Sequence, residues 1–185
     1  MCRALATCEH AYFRQDGSMQ SGRSMRLYCL RHFHAARPVP GQRDYDRPLD
    51  AKGMAQSERI RDWITQRALV FSTVLASPAQ RTRQTVAAIG LPSADERIVW
   101  LPNLYEAEPE VYLRHLGQDG PGDATLVVGH NPGMEEFLVQ LCGPDTPAPL
   151  AAGLGTGALA IVEIGQGGVR TGNGRLVELI SPKAL

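Results

Sequence analysis

The sequence predicts an α/β protein with an open, mostly parallel central sheet, and three observations carry that expectation. Short apolar runs, Leu27-Tyr28-Cys29-Leu30 and Thr125-Leu126-Val127-Val128-Gly129, stop abruptly at chemically capable residues, Arg31-His32 and His130. Such a run reads as a buried strand reaching the edge of its sheet. Between these runs lie stretches of helical spacing, and two strand ends are followed at once by a proline suited to a helix start, Pro78 and Pro132. In sheets of this kind ligands bind outside the carboxyl ends of the strands, so the residues at those ends are the functional candidates.

In chain order, the first strand begins right after Met25 and ends at Arg31-His32. A loop of arginines, prolines and glycine follows from Ala35 to Pro48 and carries Arg37, Arg43 and Arg47. Asp50 suits the N-cap of a helix bearing Met54, Ala55, Ile60, Trp63 and Ile64 at partial helical spacing. Leu69-Val70-Phe71 and Val74-Leu75-Ala76 form the second strand region. It runs into Ser77-Pro78-Ala79-Gln80-Arg81, where Ser77 suits the N-cap and Pro78 the first helical position. Arg81 then lies on the first turn of a helix that starts at the sheet edge. The free N–H groups and the positive dipole end there favour an anion, and an arginine strengthens that preference. This helix continues from Thr82 to Ile89 and is stopped by Gly90 and Pro92.

Ile98 to Leu101 reads as a third strand, and the loop beyond it holds two candidate general acids, Glu106 with Glu108 behind it. A helix from Glu110 to Leu116 follows. The strand Thr125–Gly129 delivers His130, with Asn131 as cap and Pro132 opening a helix whose apolar side is Met134, Phe137, Leu138 and Leu141. Gly153-Leu154-Gly155-Thr156-Gly157-Ala158 formally matches GxGxxA. It follows no strand and precedes Leu159–Ile164, so the dinucleotide-binding context is missing and the motif is rejected. Two strands, Ala158–Ile164 and Arg175–Ile180, close the chain.

With 185 residues there is room for one domain with a substantial core. Residues 25–185 are read as that single domain. Residues 1–24 show no clear periodicity and are read as a disordered or non-native extension. Lys plus Arg and Asp plus Glu both total 19, for a net charge of zero, which argues against a general nucleic-acid or membrane-surface binder. Only Lys52 and Lys183 are lysines, and arginine is the residue for bidentate phosphate or carboxylate recognition. Cys2, Cys8, Cys29 and Cys142 include no CxxC pair and read as reduced thiols of a cytoplasmic protein. No apolar run nears the roughly 20 residues of a membrane span.

Arg31-His32, Arg81 and His130 share one chemical meaning: together they would cradle a tetrahedral dianion. Phosphoryl transfer needs positive charge on the equatorial oxygens and a nucleophile in line. A neutral imidazole flanked by arginines can serve, because nearby positive charge disfavours its protonation.

The order Leu30-Arg31-His32, Ser77-Pro78-x-x-Arg81, Gly129-His130 resembles the histidine phosphatase superfamily, the phosphoglycerate-mutase-like fold. It is most similar to the small SixA-like branch of phosphohistidine phosphatases. Asp46-Arg47-Pro48-Leu49 and Leu104-Tyr105-Glu106-Ala107 resemble further stretches of that branch, and the likeness runs from about Met25 to the C-terminus. It implies a three-layer α/β/α sandwich and His32 as the residue that becomes transiently phosphorylated. Arg31, Arg81 and His130 would bind and polarise the phosphate, with Arg47 as an extra phosphate contact; Glu106, with Glu108 behind it, is the candidate acid for an oxygen leaving group, and a phosphohistidine substrate could do without one. The resemblance implies no metal and no cofactor. The expected substrate is a phosphohistidine-bearing protein or a small phosphorylated molecule, with no nucleic acid or membrane as partner, and the chain is expected to be a monomer.

One departure stands out, since Phe33 replaces the glycine that follows the Arg-His pair in the best-known signature. Glycine permits a positive φ and a close backbone approach that Phe resists. Phe33 is expected to pack under the loop or to narrow the pocket. Two other readings share these residues. One is a metallohydrolase using His32-x-His34 with His115 or His130, weakened by the lack of a nearby acidic ligand. The other is a catalytically silent phosphate- or phosphoprotein-binding module, suggested by Phe33 alone.

Overall fold

The apolar run that opens the domain forms strand β1, Met25–Arg31, in a computed structural model that describes residues 12–13, 19–20, 25–117 and 122–185. Helix α1, Ala51–Gln66, starts where Asp50 accepts a hydrogen bond from the Gly53 N–H at 2.9 Å, the expected cap. Then come β2 (Thr73–Ala76), α2 (Gln80–Ala88), β3 (Ile98–Trp100), α3 (Pro109–Leu116), β4 (Ala124–Gly129) and α4 (Gly133–Cys142). A single-turn helix α5 (Ala148–Ala151) leads to β5 (Leu159–Ile164) and β6 (Gly174–Ile180).

The six strands form one sheet in the order β3-β2-β4-β1-β5-β6. The pairs β3/β2, β2/β4 and β4/β1 are parallel, whereas β5 and β6 extend the sheet antiparallel. The parallel strands alternate with helices, as crossover connections require. Side chains of β1 alternate between two faces. Leu27 and Cys29 join Tyr112 and Leu116 of α3 and Met134, Phe137, Leu138 and Leu141 of α4. Tyr28 and Leu30 join Ile60, Trp63 and Ile64 of α1 and Val86 of α2 on the other side. The result is the expected three-layer α/β/α sandwich. Each fully buried side chain such as Leu27, Ile60 or Phe137 stabilises it by roughly 1.5–3 kcal/mol relative to exposure.

Register is what builds the functional edge. Arg31 pairs with Gly129 across β1 and β4, and Ala76 pairs with Val128 across β2 and β4. The ladder continues one residue past each strand: His32 N–H donates to Gly129 O and Ser77 N–H to Val128 O, both at 3.1 Å. Arg31-His32, Ser77 and His130 therefore leave the sheet side by side.

Several local expectations differ from what forms. Leu69-Val70-Phe71 is not strand; Val70 is 73% exposed, Phe71 is buried in the core and Leu69 packs against its edge. Helix α2 starts at Gln80, with Ala79 in the cap position, and the buried Ser77 hydroxyl both accepts from the Ala79 N–H and meets His130. Likewise α4 starts at Gly133 after Pro132, and the Asn131 side chain reaches Glu135 and Leu154 instead of capping. The expectation for residues 1–24 falls almost wholly outside the described residues; a short antiparallel pairing of Tyr12–Phe13 with Met19–Gln20 is described there. Among the described residues, no helix is long and apolar enough to cross a membrane.

Candidate active site

His32 is the centre of the edge. Its Nδ1 lies 2.7 Å from the Phe33 carbonyl oxygen, which can only accept, so Nδ1 carries the proton. The Nε2 lone pair is thereby exposed to the site, where it accepts from Arg81 Nε at 3.2 Å. Burial, then the charges of Arg81, Arg31 and Arg47, push the His32 pKa down to about 4, against a partial upward pull from the Phe33 carbonyl. The imidazole is neutral at physiological pH and is a nucleophile by default.

His130 packs beside it, ring centroids 5.0 Å apart, and is 3% exposed. The Ala79 N–H donates to Ser77 Oγ at 3.3 Å, and Ser77 Oγ lies 2.9 Å from His130 Nε2. We assign the Ser77 O–H as the donor to Nε2, which places the His130 proton on Nδ1. Thr82 Oγ1 adds a second contact to Nε2 at 3.3 Å. Nδ1 is buried and has no partner among the described residues. Burial first, then the neighbouring His32 and Arg81, lower the His130 pKa to about 3.

Arg31 repeats the pattern on the far side of His32 in sequence. Its Nη1 donates to Leu154 O at 2.6 Å, while its Nε is buried and has no partner among the described residues. Two unfilled donors, Arg31 Nε and His130 Nδ1, thus sit around one nucleophilic nitrogen. Buried donors without a partner cost free energy, about 1–3 kcal/mol each, so a ligand rich in acceptor oxygens is what such a site accommodates.

The rejected GxGxxA segment acquires a structural role here. Gly157 N–H donates to both Arg31 O and His32 O at 3.1 Å, and Arg31 N–H donates to Ala158 O. Gly157 has φ +74°, and a Cβ there would stand 2.8 Å from Phe33 and 2.9 Å from Pro182. The segment is a brace that fixes where Arg31 and His32 leave the sheet. Phe33 is fully buried in the α1/α2 core, with its N–H donating to Thr85 Oγ1 at 3.2 Å. Its φ is not positive, so the conformation that would demand glycine is not used at this position.

Arg81, 5% exposed, is held by the 35–48 loop. Its Nη1 donates to Asp44 O at 2.7 Å and its Nη2 pairs with Asp44 Oδ2 at 2.9 Å. Asp44 also takes Arg47 Nη1 at 2.5 Å and the Tyr105 hydroxyl at 2.9 Å. Burial pulls the Asp44 carboxyl up, but bonds from Arg47, Tyr105 and Arg81 outweigh it and hold the pKa down to about 2. The Tyr105 ring meets the His130 edge at 5.4 Å and the Tyr45 ring at 5.1 Å.

The structure therefore brings Arg31, His32, Arg81 and His130 together, with Arg47 close enough for its charge to act on His32. It does not bring Glu106 or Glu108 with them. Glu106 is exposed at φ +50°, and its carboxylate makes no hydrogen bond or ion pair among the described residues; Glu108 is exposed ahead of α3. In the Leu104-Tyr105-Glu106-Ala107 stretch it is Tyr105 that enters the site. His34 pairs with Asp50 at 2.8 Å and His115 with Asn103 at 2.9 Å, so neither joins His32. Asp44, Tyr105, Thr82 and Thr85 were missed as site residues. An acid among arginines, three residues before Arg47, is the one signal that marked Asp44.

A neutral, oriented imidazole with buried donors and two helix starts around it can receive a tetrahedral oxyanion and attack its centre. The comparisons with known proteins agree. The family model of the histidine phosphatase superfamily (branch 1) matches residues 27–112. A solved structure bearing the provisional name phosphohistidine phosphatase SixA, from Agrobacterium tumefaciens, is 34% identical with a TM-score of 0.73, covering 85% of this chain and 98% of that one. A structure of the protein histidine phosphatase SixA complexed with tungstate is 27% identical with a TM-score of 0.70, covering 86% and 99%. The phosphohistidine phosphatase SixA of Escherichia coli K12 is 29% identical over 157 residues, 80% of this chain and 91% of that protein. With this site at the carboxyl edge of this sheet, the chain belongs to the histidine phosphatase superfamily.

Proposed function

We propose that the chain dephosphorylates phosphohistidine on a protein, as a cytoplasmic monomer, through a phosphorylated His32 and without a metal. The observation that carries this reading is the His32 imidazole itself: proton fixed on Nδ1 by the Phe33 carbonyl, Nε2 unprotonated and facing Arg81, and unfilled donors beside it. In the first step Nε2 attacks phosphorus in line and the bond to the leaving nitrogen breaks; the substrate ring, already protonated on its other nitrogen, departs as a neutral imidazole. In the second step water attacks phospho-His32, releasing inorganic phosphate and restoring the imidazole. Arg31 and Arg81 hold equatorial oxygens throughout, Arg47 adds charge, and the His130 Nδ1–H bond to oxygen strengthens as charge develops. A ring protonated in this way leaves readily, so this substrate class does not need a strong acid. Glu106, on its exposed loop, would serve only an oxygen leaving group. The relatives named for phosphohistidine support the substrate class.

The test is rapid-quench trapping with a 32P-labelled phosphohistidine protein, run beside an aryl phosphate and sugar phosphates, with and without chelator. Label is expected on residue 32, stable to alkali, with turnover fastest on the phosphohistidine protein and insensitive to chelation. His32→Ala should abolish turnover and still bind phosphate, since both arginines remain. Label on another residue, or near-normal turnover by His32→Ala, would overturn the mechanism; preference for a sugar phosphate would overturn the substrate.

A further inference from the structure

Arg81 carries five N–H donors, and three of them are engaged: Nε on His32, Nη1 on the Asp44 carbonyl and Nη2 on the Asp44 carboxylate. The same carboxylate takes Arg47. The Asp44 carboxylate bridges the two arginines, Oδ2 on Arg81 Nη2 and Oδ1 on Arg47 Nη1, and these are donors that arginine also offers to phosphate. Asp44 is thus a resident anion on two of the cations proposed to hold substrate. Its side chain is 43% exposed, so it sits on the solvent side of Arg81 with room to turn away. Its hold comes from a three-residue 3-10 turn, Asp44–Asp46, and not from the sheet.

We infer that Asp44 is a specificity-determining residue that competes with phosphate for Arg81 and Arg47, weakening retention of the inorganic phosphate product. This inference rests on the phosphatase reading, and it asks what that site does once the reaction is over. A site with three arginines around a neutral nucleophile would bind a small dianion tightly and would release it slowly. A carboxylate within hydrogen-bond reach of the fork opposes the product by charge and reoccupies the donors as it leaves. A covalently larger substrate gains contacts beyond the phosphate that free phosphate lacks, so the penalty falls hardest on the product.

The experiment measures inorganic phosphate binding by calorimetry, and phosphate inhibition of turnover, for the wild type, Asp44→Asn and Asp44→Glu. Asp46→Asn, on the same turn but paired with exposed Arg43, is the control. Asp44→Asn should bind phosphate roughly tenfold tighter, about what removing one partly exposed charge contributes, with KM for the phosphorylated substrate reduced by a smaller factor. Asp44→Glu, which keeps the charge, should stay within about twofold of wild type, as should Asp46→Asn. Melting curves accompany each variant, and Asp44→Ser replaces Asp44→Asn should the latter unfold. Phosphate affinity that is unchanged or weaker in a folded Asp44→Asn would overturn the inference: it would mean that Asp44 merely positions Arg81, in which case KM rises as well. Absence of turnover in the wild type would instead sink the phosphatase reading, which the calorimetric arm does not depend on.

Discussion

Arg31 and Arg81 belong to one cluster and each donates to a backbone carbonyl, yet Arg81 also pairs with a carboxylate. Arg31 is gripped by a backbone carbonyl, Leu154 O, which also accepts from Asn131 Nδ2 at 3.0 Å. Glu135 secures that arrangement, taking the Leu154 N–H at 2.8 Å and Asn131 Nδ2 at 2.7 Å. Arg81 is gripped by an exposed carboxylate on a loop. A carbonyl is a neutral dipole that stays in place when an anion arrives, and it leaves Arg31 Nε free. A carboxylate is itself an anion and must share or yield its cation. One side of the site is therefore preorganised at no electrostatic cost to substrate, while the other is tuned by a competing charge. The antiparallel end of the sheet and its 153–157 brace supply the first kind of support, and the 35–48 loop supplies the second.

Removing each arginine should expose the difference most strongly. Arg81→Ala should lower kcat/KM by about 10³-fold, since it deletes oxyanion stabilisation and leaves Asp44 facing the phosphate with less compensation. Adding Asp44→Asn should recover about tenfold of that loss. Arg31→Ala should lose a similar amount but recover little with Asp44→Asn. Steady-state kinetics on the four variants decide it, and equal recovery in both backgrounds would erase the distinction.

Acid should act on both sides through the imidazoles between them. The His32 and His130 values lie below the ordinary 6.5, at about 4 and about 3, so the unfolded chain takes up protons first as pH falls. The stability contributed by the neutral rings is complete above about pH 6.5 and is lost as pH falls toward 4 and below. The melting temperature should decline over that window, and His130→Gln should decline less steeply. kcat/KM should stay level from pH 7 to about 5 and then fall about tenfold per unit below 4, as His32 loses its lone pair to a proton. An activity loss centred near 6.5 would show that the arginines and burial do not act on His32.

The smallest expected effect lies behind Arg31. Glu135→Gln keeps an acceptor for the Leu154 N–H but removes the charge, so kcat/KM should fall only about three- to tenfold, chiefly through KM. No change in KM would mean that the brace holds Arg31 without Glu135.

Much of the site was legible before any coordinates because strand ends announce themselves. Arg31-His32 and His130 each terminate a run of buried apolar residues, and Arg81 stands at a fixed offset from a strand end and a proline. These are local patterns, and the parallel register then carries them to one edge. The Ser77 hydroxyl does more than the capping a serine before a proline ordinarily does, since it accepts from the Ala79 N–H and also meets His130. Only the arrival of His130 from a strand over fifty residues away gives that hydroxyl its second partner. Leu69-Val70-Phe71 was misread because three apolar residues in a row carry no record of which one finds the core.

The sequence alone determined the α/β architecture and which residues, Arg31, His32, Arg81 and His130, stand at its sheet edge, since each depends on short-range pattern and on chemistry intrinsic to the residue type. Tertiary structure alone decided which carboxylate matters. Glu106, the candidate acid, is exposed at positive φ, while a 3-10 turn in a loop of arginines aims Asp44 at Arg81, thirty-seven residues on. A charge acquires its role from what lies within a few ångströms of it, and chain order sets that distance only inside a helix or strand.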